Sequence, residues 1–105
     1  MMPEPLNNLE RLCIHSITTK PWTIEEATIN YSSKGVHGIT VWRDALTGRN
    51  IRQTGEMLRR HGLKTVSLCR GGFFPSAEPA KRKQAVDDNR RAIEEAFELG
   101  TNLIV

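Results

Sequence analysis

The chain has 105 residues, of which 38% are hydrophobic and 26% charged, and its formal net charge is +3 at pH 7. This length suits about one domain, and the balance of apolar and charged residues excludes the compositions typical of disordered chains and of membrane proteins. The densest basic run, Lys81–Lys83, is soon followed by Asp87 and Asp88, so we interpret it as a solvated helix face rather than a nucleic-acid-binding surface.

The start of the sequence lacks the basic flank and long apolar run of a signal peptide, and no stretch approaches the roughly 20 apolar residues of a membrane helix. We therefore expect a cytoplasmic protein with no membrane and no nucleic-acid partner. Two cysteines, Cys13 and Cys69, lie in strand-like apolar runs, and we expect buried, reduced thiols, with a disulfide as the alternative. No cysteine or histidine spacing indicates a zinc site.

The first predicted unit is a strand over residues 11–17 followed by a helix over residues 24–34. Thr23 is a good N-cap, and Glu26 three residues later completes a capping box. Gly35 ends the helix, because glycine accepts the left-handed conformation that a side chain resists.

The same phrase of helix, glycine and short apolar strand then recurs. A strand over 38–42 precedes a helix over 50–61, and Gly62 leads into a strand over 65–69. The segment 70–79, with two glycines and two prolines, is predicted to be a shaped loop of the kind that often carries function.

A third helix is predicted over residues 80–99, followed by Gly100 and a final strand that begins at Leu103. Asn89 is the one polar residue that interrupts its expected core-facing stripe. That stripe comprises Ala85, Val86, Asn89, Ile93, Ala96 and Phe97.

Strict alternation of strands and helices predicts an α/β fold with right-handed crossovers in a parallel sheet. An open doubly wound sheet and a (β/α)₈ TIM barrel both fit this order. The barrel is favoured because no glycine-rich phosphate-binding motif follows a strand and because the long segments lie after the strands. A barrel needs about 250 residues, so we interpret residues 1–105 as the N-terminal portion of a single TIM-barrel domain, about three and a half units, incomplete.

Side chains alternate between the two faces of each predicted strand. One face is aliphatic and is expected to pack under the helices; it comprises Leu12, Ile14, Ile39, Val41, Val66 and Leu68. The other face mixes small, polar and aromatic groups and is assigned to the barrel interior; it comprises Cys13, His15, Thr40, Trp42, Thr65, Ser67 and Cys69.

Five residues near the carboxyl ends of these strands are candidate substrate-binding groups: His15, Trp42, Arg43, Asp44 and Arg70. An indole can stack on the C–H face of a sugar, imidazole and carboxylate can hydrogen-bond hydroxyls or move protons, and a guanidinium can bind carboxylate or phosphate. Structural roles are the open alternatives: a core His15 hydrogen-bonded to a carbonyl, a core-filling Trp42, a turn-capping Asp44, a solvated Arg43, and turn chemistry at Arg70.

The segments 12–16, 38–43, 66–72 and 87–93 resemble those of sugar phosphate isomerases/epimerases, within the xylose-isomerase-like barrel superfamily. The resemblance implies a barrel enzyme that interconverts keto sugars or related polyols, free or phosphorylated, by proton transfer next to a carbonyl. It also implies a divalent ion, Mn²⁺ or Mg²⁺, held by Glu, Asp and His. In the family those ligands come mostly from later strands, so no metal ligand and no catalytic residue is assigned in this chain.

Two further expectations follow. The chain by itself is expected to be inactive and to associate with another copy of itself to cover exposed surface. The alternative function is a non-catalytic α/β module that acts by self-assembly or by docking on a partner.

Overall fold

A computed structural model describes residues 9–70 and 76–105, which form alternating strands and helices. The strands are β1 (Cys13–His15), β2 (Gly38–Trp42) and β3 (Lys64–Cys69), and the helices are α1 (Ile24–Ser33), α2 (Ile51–Arg60) and α3 (Pro79–Leu99). Two short 3-10 turns, Ser16–Thr19 and Arg43–Leu46, directly follow β1 and β2. Within the described residues, no helix combines the length and apolar character needed to cross a membrane.

The three strands form one parallel sheet in the order β1-β2-β3. Beyond these strands, one isolated parallel bridge joins Leu68 of β3 to Ile104. Leu68 N–H donates to the Leu103 carbonyl, and Val105 N–H donates to the Leu68 carbonyl, both at 2.9 Å. The predicted parallel α/β fold is confirmed, whereas the final strand predicted from Leu103 is reduced to the single bridge at Ile104.

The predicted capping box and the predicted glycines after the helices are present in the structure. In α1, Thr23 Oγ1 accepts from Glu26 N–H and Glu26 Oε1 accepts from Thr23 N–H, both at 3.2 Å, which completes the capping box. Gly35, Gly62 and Gly100 follow the three helices with φ values of 79°, 76° and 99°. These left-handed conformations let each chain segment turn back toward the sheet.

The hydrophobic core lies between the sheet and the helices. Ile39, Val41 and Leu68 supply the sheet side and are fully buried, as the predicted aliphatic face requires. The helices contribute most of the remaining core residues, among them Ile24, Ala27, Tyr31, Leu58, Ala96 and Leu99.

One predicted strand was too long, and one face assignment was wrong. β1 contains only three residues, because Ser16 starts a 3-10 turn. In β3 the register shifts so that Thr65 lies opposite Ile39 and Ser67 lies opposite Thr40. Thr65 and Ser67 therefore belong to different faces, and Val66, which was expected under the helices, is 36% exposed.

The predicted core stripe of α3 was also displaced. The helix buries Ala92, Ala96 and Leu99, whereas Ile93 is 60% exposed and Phe97 is 78% exposed. Small residues face the core here because α2 and α3 approach closely: a Cβ atom at Gly55 would collide with the Leu99 carbonyl oxygen.

Candidate functional site

The face of the sheet away from the helices carries a row of small polar side chains, one from each strand. Cys13 Sγ lies 3.3 Å from Thr40 Oγ1, which lies 2.9 Å from Ser67 Oγ. Thr40 and Ser67 are buried, and Cys13 is half-buried. We call Cys13, Thr40 and Ser67 the polar row; it confirms the predicted grouping of these three residues on one face.

His15 and Trp42 meet at the carboxyl end of the same face. His15 lies opposite Thr40 in the register, and Trp42 is two residues further along β2, so both side chains project on the side of the polar row. Trp42 Nε1–H donates to His15 Nδ1 at 3.1 Å, and the two ring centroids are 6.4 Å apart with planes tilted by 55°. The structure thus brings together two of the five candidate residues.

Two residues outside the five predicted candidates, Ser16 and Tyr31, hold this pair in place. Ser16 is buried, and its Oγ accepts a hydrogen bond from Trp42 N–H at 2.9 Å. The Tyr31 hydroxyl donates to the His15 carbonyl at 3.5 Å and lies 2.6 Å from Thr19 Oγ1. The available signal for Ser16 was its place directly after the strand, where a hydroxyl can bond the neighbouring strand end.

Arg43, a candidate substrate-binding group, does not join His15 and Trp42. Its guanidinium turns to α3, where Nε and Nη2 donate to Glu95 at 2.6 and 3.3 Å, and Nη1 and Nη2 donate to Asp88 at 3.0 and 3.2 Å. These bonds raise the pKa of Arg43, chiefly through Glu95, and the guanidinium lowers the pKa of Asp88. Arg43 is therefore neither solvated nor turned to the site; it ties the end of β2 to α3.

Asp44 and Arg70 are positioned differently from His15 and Trp42. β2 ends at Trp42, and Asp44 lies in the 3-10 turn, so the alternation of strand side chains does not extend to it. Arg70 is exposed directly after β3. Half of the predicted loop 70–79 lies outside the described residues, since these omit 71–75.

A depression of about 270 Å³ lies beside the carboxyl ends of β1 and β2. Arg49, at its edge, is engaged by Glu25 through Nε–Oε1 at 2.9 Å and Nη2–Oε2 at 2.8 Å. This hydrogen-bonded ion pair lowers the pKa of Glu25 to about 2. The remaining polar lining includes Ser16, Lys20, Thr23 and Asp44.

The described residues do not assemble a metal site. Among them, no group of three or more His, Cys, Asp or Glu side chains converges. Nδ1 of His15 is occupied by the Trp42 indole, and the Asp88 and Glu95 carboxylates are engaged by Arg43. Cys13 and Cys69 are both free thiols, and burial raises the pKa of Cys69.

Neither a protein-family model nor a curated protein matches this chain. Solved structures do match it. A protein from Sinorhizobium meliloti 1021 is 38% identical with a TM-score of 0.83, over 92% of this chain and 36% of that protein. A xylose isomerase-like TIM barrel/4-hydroxyphenylpyruvate dioxygenase fusion protein is 18% identical with a TM-score of 0.79, over 90% of this chain and 16% of that protein.

A xylose isomerase domain-containing protein from Salmonella typhimurium LT2 is 16% identical, with a TM-score of 0.78, over 95% of this chain and 38% of that protein. This chain thus spans between 16% and 38% of the length of these three solved proteins. Its fold is that of part of a TIM barrel. The predicted partial (β/α)₈ barrel is confirmed.

Proposed function

We propose that this chain is the N-terminal part of a metal-dependent sugar or sugar phosphate isomerase/epimerase that moves a proton next to a carbonyl group. The observation that carries the proposal is the His15–Trp42 pair beside the polar row, on the interior face of a xylose isomerase-like sheet. A polyhydroxylated ligand suits this surface because hydroxyl, thiol and imidazole groups offer both donors and acceptors.

Within this proposal, His15 is the principal substrate-binding group. Asp44 and Arg70 remain candidates, Asp44 through its place on the depression and Arg70 through its exposed position after β3. Arg43 supports the site only by fixing the end of β2, since the hydrogen bonds of its guanidinium to the described residues go to α3. The divalent ion, Mn²⁺ or Mg²⁺, would require ligands from parts of the barrel other than the described residues.

Solvent deuterium exchange tests the proposal directly. The 105-residue chain and the product of the complete open reading frame that contains it are incubated in D₂O with Mn²⁺ and a panel of ketoses. Proton transfer next to a carbonyl places deuterium on the adjacent carbon, which mass spectrometry and proton NMR detect. We expect exchange with the complete product and none with the 105-residue chain. A complete product that neither exchanges deuterium nor binds Mn²⁺ would remove the proposal.

Self-assembly without catalysis is the second candidate, favoured by the exposed apolar face of α3. Ile93 and Phe97 project from this face, and Val66 and Leu103 are exposed nearby on the β3 side. In the barrel proposal this surface would receive the next barrel unit; in the second candidate it receives another copy of the chain. Sedimentation velocity separates them: a folded chain that stays monomeric at high concentration excludes obligate self-assembly.

A further inference from the structure

The hydrogen bond between Trp42 and His15 has only one direction. An indole Nε1–H can donate and cannot accept, so His15 Nδ1 must be the acceptor at 3.1 Å. A nitrogen that accepts carries no proton, and a neutral imidazole carries its single proton on the other nitrogen. The bonded, neutral side chain of His15 therefore has its proton on Nε2.

Both the backbone and the side chain of Trp42 are fixed by contacts with β1 and the residue after it. Its backbone N–H donates to the buried Ser16 hydroxyl at 2.9 Å, which fixes the end of β2 against the end of β1. Its indole lies against His15 with the ring planes tilted by 55°. His15 Nε2 has no hydrogen bond to any of the described residues, so it is the ring nitrogen left to contact a ligand.

We propose that Trp42 is a positioning residue rather than a sugar-stacking residue: its indole fixes His15 in the Nε2–H tautomer, so that His15 presents a hydrogen-bond donor to a ligand oxygen. The ligand half of this inference rests on the proposed function. The group recognised is an acceptor, such as a carbonyl or hydroxyl oxygen of a ketose. A His15 that presented an unprotonated nitrogen would instead accept a hydrogen bond, for example from a ligand hydroxyl.

His61 provides an internal control, because its Nδ1 faces a hydrogen-bond acceptor whereas Nδ1 of His15 faces a donor. His61 Nδ1 lies 2.9 Å from the Met57 carbonyl oxygen, which can only accept. The neutral form of His61 in this contact therefore has its proton on Nδ1. Two histidines of one molecule are thus expected to show opposite tautomers under the same conditions.

Long-range nitrogen–proton NMR correlation on the ¹⁵N-labelled 105-residue chain measures these tautomers. At about pH 8.5 an ordinary imidazole is neutral, so each ring reports its proton position directly. We expect Nε2–H for His15 and Nδ1–H for His61. Trp42→Phe, which retains an aromatic ring and loses the donor, should turn His15 to a mixture of tautomers and leave His61 unchanged. Nδ1–H at His15, or a His15 tautomer unaffected by Trp42→Phe, would overturn the inference.

Indole exchange provides a measurement that needs no variant. The Trp22 indole N–H has no hydrogen bond within residues 9–70 and 76–105, whereas that of Trp42 is bonded. We expect Trp42 Nε1–H to exchange with solvent about five-fold more slowly than that of Trp22, as one weak hydrogen bond implies. Equal exchange rates would also overturn the inference.

Titration of the ¹⁵N-labelled product of the complete open reading frame with D-fructose then tests the ligand half separately. A ligand oxygen that accepts from His15 should shift the Nε2 resonance of His15 and leave His61 unmoved. A fixed Nε2–H tautomer with no shift would reject sugar recognition by His15, and with it this support for the proposed function, while the positioning role of Trp42 would stand.

Discussion

Replacing Arg43 with Met should destabilise the fold by far more than the loss of an ordinary surface charge. Met retains the apolar stem of Arg43 and removes the guanidinium that joins the end of β2 to Asp88 and Glu95. Asp88 and Glu95, which lie about two turns apart on α3, would then lose their shared cation. The expected defect is in stability, because the guanidinium is engaged on the helix side rather than in the site.

The size of the effect follows from the exposure of the partners. The side chains of Arg43 and Glu95 are 21% and 24% exposed, whereas that of Asp88 is 46% exposed. The Asp88 pair therefore resembles a surface ion pair, worth about 0.5 to 1 kcal/mol. The Glu95 pair lies between the surface and buried limits, at about 1.5 kcal/mol. We expect a total loss of about 2 kcal/mol in the free energy of unfolding.

Urea denaturation followed by far-UV circular dichroism measures this loss. With an unchanged slope, a loss of about 2 kcal/mol lowers the midpoint by about 1 M or more. Arg90→Met is the matched control, because Arg90 forms one exposed ion pair with Asp87 at 3.7 Å and its loss should cost less than about 0.5 kcal/mol. Arg43→Lys should fall between, since it retains charge without the fork. Equal midpoints for Arg43→Met and Arg90→Met would refute the reasoning.

Three other outcomes are expected. Because Arg49 lowers the pKa of Glu25 from 4.5 to about 2, the ion pair stabilises the fold fully above pH 4.5 and loses this contribution as the pH falls toward 2. The Glu25 side chain is half-exposed, which limits the contribution of the pair to about 1 kcal/mol. Glu25→Gln should therefore reduce the acid dependence of the urea midpoint. Gly55→Ala should lower the melting temperature, at a cost of about 1 to 3 kcal/mol, because its Cβ meets the Leu99 carbonyl; a higher melting temperature would mean that helix propensity prevails. Phe97→Asp should change the free energy of unfolding by less than about 0.5 kcal/mol, because the Phe97 ring is 78% exposed. The same substitution should abolish any dimer seen in sedimentation.

Much of the fold was predictable because its signals are local. The capping box at Thr23 and Glu26 and the glycines after the helices depend on residues within one turn of each other. The meeting of His15 and Trp42 was also predictable, since parallel strands bring their carboxyl ends to one edge of the sheet.

The errors concern contacts between residues distant in the chain. Arg43 bonds residues 45 and 52 positions away, and no local pattern identifies such partners. In α3 the largest apolar residues were assigned to the core, but the close approach of α2 leaves room for Ala92 and Ala96 and turns Phe97 outward. The displaced register at Val66 likewise depends on pairing with β2, which the alternation of side chains within β3 does not reveal.

Hydrogen positions in the polar row can reverse without any movement of heavier atoms. The central Thr40 hydroxyl has one proton, so it can donate to Ser67 while accepting from the Cys13 thiol, or donate to Cys13 while accepting from Ser67. In the first arrangement the hydroxyl proton of Ser67 is free to donate to another group, and in the second the thiol proton of Cys13 is free. An arriving molecule could therefore be met by a donor or by an acceptor at the same spot, and alkylation of Cys13 would leave only one of these two settings.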